Sequence, residues 1–181
     1  GHQAGYSSTT GVYNNFFGAT SGDAITDGAA NVAIAYGSLS SDTRGSHSVS
    51  IGHGALSTQN FTTATDSYNT AVGSTAGTAV TTGIQNTIIG GAAGNALTDA
   101  DYNVAVGAYA LTADTLGSLS VAVGRSALAT QNFTTATSTY NTAVGHHAGI
   151  AVTTGVNNTL IGGLAGDAIT AGDTNTSIDR K

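Results

Sequence analysis

The chain has no cysteine, proline, methionine, tryptophan or glutamate, and its charged residues make up only 8% of 181 positions. Without cysteine there is neither a disulfide framework nor a thiolate metal site. Soluble globular domains carry about a quarter charged residues, so this is not an ordinary globular surface. Disorder is excluded as well, because it needs low hydrophobicity and high net charge, whereas this chain is 40% hydrophobic with a net charge of −6. The only basic residues besides histidine are Arg44, Arg125, Arg180 and Lys181. That is too few to neutralise phosphates, which excludes nucleic acid as a partner. No run approaches the ~20 apolar residues of a spanning helix, so membrane insertion is not expected. Neither a Met nor a basic leader opens the chain, which suggests a processed product or a fragment.

What the sequence does have is glycine, 26 of them, and a repeat. The octapeptide from Thr58 to Thr65 recurs from Thr130 to Thr137, a shift of 72 residues. Within that superperiod lies a shorter unit beginning at Asn14, Asn31, Ser48, Asn69, Asn86, Asn103, Ser120, Asn141, Asn158 and Asn175. The spacing is 17 residues, lengthened to 21 in every fourth unit. Fixed-period self-similarity marks a repeat architecture in which neighbouring units bury one continuous core.

Superposing the units turns the sequence into columns. One residue after each start, nine of ten units carry Val or Thr, and three after it every residue is large and apolar, from Phe17 to Ile178. β-branched residues at alternate positions suit a pleated strand. The column between them, on the opposite face, is small or apolar and includes Ala71, Ala105, Ala122 and Ala143. A strand apolar on both faces is normally buried on both. One face is therefore expected to look into the coil's own core and the other into a second chain, with Ala71, Ala105, Ala122 and Ala143 assigned to the chain contact. Gly recurs four residues after the start, where a bend is expected. Thr recurs twelve after it, at a second bend expected to be closed by a hydroxyl-to-backbone hydrogen bond. Two short strands and two turns per unit predict an all-β, parallel β-solenoid over residues 1–181, truncated at both ends from a longer fibre. Ten rungs ~4.8 Å apart would make a rod of roughly 48 Å. A closed trimer is the simplest way to bury the remaining apolar face.

The strand core, seen as Asn103-Val104-Ala105-Val106-Gly107 and Asn141-Thr142-Ala143-Val144-Gly145, resembles the head repeats of trimeric autotransporter adhesins of the YadA type. It also resembles the "NTAIG" arrays of phage and viral tail-fibre proteins, and does so through nearly the whole chain. The resemblance implies a left-handed β-roll in three parallel copies, displayed on a virion surface to attach to a host through a cell-surface glycan or protein receptor. The alternative it implies is the head of a bacterial adhesin on the cell surface. The terminal Asp179, Arg180 and Lys181 depart from the repeat and read as an exit into a neighbouring domain.

No catalytic activity and no cofactor are expected. Glycan cleavage would normally need paired carboxylates, and most of the aspartates fall in columns that read as outer turns, Asp23 with Asp167 and Asp27 with Asp99. His146 and His147 form the one suggestive metal pair, read first as turn residues and otherwise as an axial site shared by three chains. An ice-binding array of Thr is the third-ranked function, since the column beside the recurrent Thr is interrupted by Asp27, Arg44 and Leu116. For ligand binding the candidates are the lengthened rungs, with Phe61, Tyr68, Phe133 and Tyr140 as stacking surfaces. The competing reading folds Phe61 and Phe133 back to plug the wider rung.

Overall fold

A computed structural model of the chain describes residues 1–178; Asp179, Arg180 and Lys181, expected to form the exit, lie outside the described residues. Its fourteen strands are β1 (Asn15–Phe17), β2 (Val32–Ile34), β3 (Gly45–Ser46), β4 (Val49–Ile51), β5 (Thr65–Asp66), β6 (Thr70–Val72) and β7 (Thr87–Ile89), followed by β8 (Val104–Val106), β9 (Gly117–Ser118), β10 (Val121–Val123), β11 (Thr137–Ser138), β12 (Thr142–Val144), β13 (Thr159–Ile161) and β14 (Thr176–Ile178). Among the described residues there is no helix. Ten of the strands form one parallel sheet in the order β1-β2-β4-β6-β7-β8-β10-β12-β13-β14, while β3 pairs with β5 and β9 with β11. All of these pairings are parallel, so the chain is a β-solenoid of about ten turns.

The pairing follows the sequence columns. Ala122 lies between Ala105 and Ala143, and Val123 between Val106 and Val144. At the first long rung the register slips in two steps, with Gly45 opposite Thr65 and then Val49 opposite Thr70. The extra residues are thus absorbed on one corner, and the main sheet continues unbroken past them.

The structure reverses the expected orientation of the strand. Ala71, Ala105, Ala122 and Ala143 are all 0% exposed and belong to the coil's own core, so they cannot be the chain contact. The Val, Ile and Thr columns face outward: Ile34, Ile89, Val144 and Ile161 are 37–41% exposed. The reason is volume. A 17-residue turn encloses little space, and the inward column must share it with two others.

Those other columns compensate one another. Eight residues after the start stand Leu39, Leu56, Leu111 and Leu128, all fully buried, in the four rungs whose eleventh residue is Asp42, Gln59, Asp114 or Gln131. Where the eleventh residue is Val80, Leu97 or Val152, the eighth is Gly77, Gly94 or Gly149. A Cβ on Gly77 would meet Ile88 Cδ1 at 2.9 Å, Leu56 Cδ2 at 3.1 Å and Val80 Cγ2 at 3.3 Å. The neighbouring rungs have already filled that place, as close packing of interiors demands.

Glycine after the strand is favoured twice over, and Ala35, which takes its place in one rung, is held at φ 97. Gly107 has φ +133, and a Cβ there would lie 2.5 Å from the carbonyl oxygen of Gly124 in the next rung. Gly124 stands in the same relation to Gly145. We expect Gly107→Ala to destabilise the coil by about 1–3 kcal/mol, the cost of holding a non-Gly residue in a disfavoured region; urea denaturation followed by circular dichroism measures it.

Candidate functional site

Two chains of polar groups run along the coil and define which side chains remain free. The first is buried and built from the asparagines that open each rung. Asn103 Oδ1 accepts the Ser120 N–H at 2.9 Å, Asn103 Nδ2 donates to the Gly117 carbonyl at 2.9 Å, and Asn86 Oδ1 accepts the Asn103 N–H at 2.9 Å. The same pattern links Asn14, Asn31 and Ser48, and again Asn141, Asn158 and Asn175. Each side chain therefore satisfies backbone groups that the turn would otherwise leave buried and unpaired.

The ladder pauses where Ser replaces Asn, and there a different network takes over. Gln59 Nε2 donates to Asp42 Oδ2 at 2.6 Å and to Ser48 Oγ at 2.8 Å, while Gln59 Oε1 accepts from Asn69 Nδ2 at 2.9 Å. Asp42 Oδ1 accepts the N–H groups of Gly45 and Phe61, both at 3.0 Å. Asp114, Gln131, Ser120, Gly117, Phe133 and Asn141 repeat the arrangement. Asp42, Asp114, Gln59 and Gln131 are fully buried. These two aspartates are not outer-turn residues like most of the others, and reading the sequence by column missed them. The available signal was that each Asp precedes its Gln by 17 residues and both pairs repeat at the 72-residue shift.

This network answers the question of the long rungs. Phe61 and Phe133 are 5% and 7% exposed, tied by their N–H groups to buried carboxylates. They plug the wider rung, and the binding role proposed for them is overturned: an aromatic face inside the coil has nothing to stack on. Tyr68 and Tyr140 remain 52% and 58% exposed.

The second polar chain is the recurrent Thr. Thr26 Oγ1 donates to the Thr43 carbonyl and Thr98 Oγ1 to the Thr115 carbonyl, each at 3.0 Å. The expected hydroxyl-to-backbone bond is present, and it reaches the carbonyl of the next rung. Beside this column Arg44 grips Asp27 through Nε and Nη2, the latter at 2.9 Å from Oδ2. The Arg44 guanidinium holds the Asp27 carboxyl below its usual range. Both side chains are more than a third exposed, so solvent screens the pair.

His146 and His147 sit in the turn after Gly145, not on a strand. Their rings stack on each other with centroids 3.8 Å apart, and Arg125 Nη1 lies 3.0 Å from His147 Nε2. A guanidinium stands where a cation would have to approach. Among the described residues no three His, Cys, Asp or Glu side chains come together as a metal site. Partial burial, then His146 and Arg125, lower the His147 pKa below the usual imidazole value. The neutral ring is therefore favoured in the folded chain, and as pH falls below that value the unfolded chain takes up this proton first, which weakens the fold. NMR titration should find His147 below the ordinary histidine midpoint and rising when Arg125 is changed to Gln.

The remaining surface is the outward sheet face. It presents two residues per strand, Val104 with Val106, Val121 with Val123, Thr142 with Val144, over ten strands. On the described residues, then, the protein is a β-solenoid repeat protein whose free surface is an apolar sheet face bordered by exposed aromatic corners. Comparison with known protein families, with curated proteins and with solved structures found no match.

Proposed function

We propose that the chain is a structural and host-attachment segment of a trimeric tail fibre on a virion surface, in which three left-handed coils lie parallel along their length. The observation that carries this is the outward sheet face. A parallel sheet is ordinarily covered on both sides, and here one side is covered only by solvent. At ~4.8 Å per strand and ~3.3 Å per residue the face measures roughly 48 by 10 Å, an area of the order of the largest apolar patches that monomers expose. The Val, Ile and Thr columns repeat with the rungs, so one copy meets another as a flat ridged surface at any axial position, and the bulged corners set the register. The repeat resemblance supports the number three and the handedness. In this reading the chain performs no catalysis, takes no cofactor, and has itself as its first partner.

Light scattering on the purified chain tests it. A mass of three times 17.6 kDa is expected over a wide concentration range. A chain that stays at 17.6 kDa defeats the proposal.

A further inference from the structure

Of the described side chains only Arg44 and Arg125 are permanently cationic, and the two are held differently. Arg44 turns its Nε and Nη2 edge onto the two carboxylate oxygens of Asp27, at 2.9–3.1 Å. That planar fork matches a carboxylate in shape as well as in charge. Arg125 is exposed and makes no ion pair among the described residues. Its Nη1 lies 3.0 Å from His147 Nε2, and since a guanidinium can only donate, the ring nitrogen accepts. The contact leaves Nε and Nη2, the edge with which Arg44 grips its carboxylate, without a partner among the described residues.

The charge around Arg125 is one-sided. Residues 115–166 contain no Asp or Glu, and their basic side chains are Arg125, His146 and His147. The stretch covers about three rungs, and a second copy lying parallel and in register would bring the same residues, again without a carboxylate, to the same height. The net charge of −6 therefore resides on aspartates outside it, and at physiological ionic strength exposed charges more than ~8 Å apart are largely screened. Nor does the coil require these side chains. In the preceding 72-residue period their places are held by His53, Ser74 and Thr75, although the octapeptide from Thr58 to Thr65 recurs unchanged. Ala92, Tyr109, Ser126 and His147 share one left-handed turn position, with φ of 54°, 60°, 56° and 58°, so the turn forms whichever side chain stands there.

We propose that Arg125, with His147 holding its guanidinium and His146 stacked beside it, is a binding site for the carboxylate groups of an acidic polysaccharide built from uronic acid units. Asp27 shows within this same chain that the fork takes a carboxylate. The described residues enclose no cavity, so the site offers a single fork on an open corner, which suits a ligand that repeats its carboxylate along its length. This inference rests on the reading of the chain as an attachment segment and names the ligand class.

NMR titration of the whole chain with oligogalacturonate tests it, with dextran as the neutral control and dextran sulfate as the sulfated one. Oligogalacturonate is expected to move the Arg125 Nε–H and His147 ring signals in a saturable way that added NaCl weakens, and dextran to move neither. Arg125→Gln should weaken binding about tenfold while keeping the parent's circular dichroism and mass, and Arg125→Lys, which keeps the charge without the fork, should recover part of it. A parent unmoved by oligogalacturonate, or moved by dextran sulfate alone, overturns the proposal. So does an Arg125→Gln variant that binds like the parent, or one that loses the assembled mass, since the guanidinium would then be a chain contact. A monomeric parent that still binds through Arg125 would sink the trimer and leave the site standing; a trimer that oligogalacturonate does not move would do the reverse.

Discussion

Changing Val106 and Val123 to Asp is expected to leave the coil folded and to reduce the proposed trimer to single chains. Both side chains sit on the outward face of adjacent strands β8 and β10, paired directly across the ladder. In a lone coil they are only partly covered, so an aspartate there is hydrated and costs the monomer little. In the proposed trimer each would bring an unpaired carboxylate into an apolar contact, a penalty of several kcal/mol, repeated in every copy. Circular dichroism should match the parent while the mass in light scattering falls to that of one chain. Ala122→Arg is the informative contrast. Ala122 is buried inside the coil, so this change should unfold the rung itself, and a folded Ala122→Arg monomer would mean that the inward column has been assigned wrongly.

The second large effect is expected at Asn103. Leucine has the same branched heavy-atom skeleton, somewhat bulkier, but no amide, so Asn103→Leu leaves the buried Ser120 N–H and Gly117 carbonyl without partners. Each orphaned group costs about 1–3 kcal/mol, and the two together about 2–6 kcal/mol. Because rungs contact only their neighbours, the loss should appear as a broadened urea transition in which hydrogen exchange speeds up first around residues 103 to 120. Asn14→Leu, at a partly buried position near the end of the coil, should cost markedly less. Equal losses at the two sites would show that the ladder's contribution does not depend on burial.

Much of this architecture is legible in the residues. The 17-residue and 21-residue spacing places the strand starts, since every rung must bring equivalent backbone groups opposite one another, and a column of glycines marks a backbone that only glycine adopts without strain. The all-β reading follows from one short alternating strand per unit and the lack of a helical period; the second strand expected in every unit forms only as β3 with β5 and β9 with β11, beside the long rungs. The direction of the strand was not legible. Both faces are apolar, and alternation says only that they are opposite. The structure turns the middle column inward: Ala105 and Ala122 pack in the core with Leu111 and Leu128, and Ile88 and Leu160 take the same place where the eighth residue is Gly94 or Gly166.

The long rungs show the same division. Sequence identity at the 72-residue shift marked Phe61 and Phe133 as special, yet a lone aromatic in an insertion reads equally as plug or platform. Their fate turned on Asp42 and Asp114, which lie 19 residues earlier in the chain and one rung away in space. The identity and spacing of the residues carried the fold and its period, because these depend on local backbone preference repeated many times. The inward face and the buried carboxylates emerged only in three dimensions, because each depends on contacts between rungs that no single unit contains.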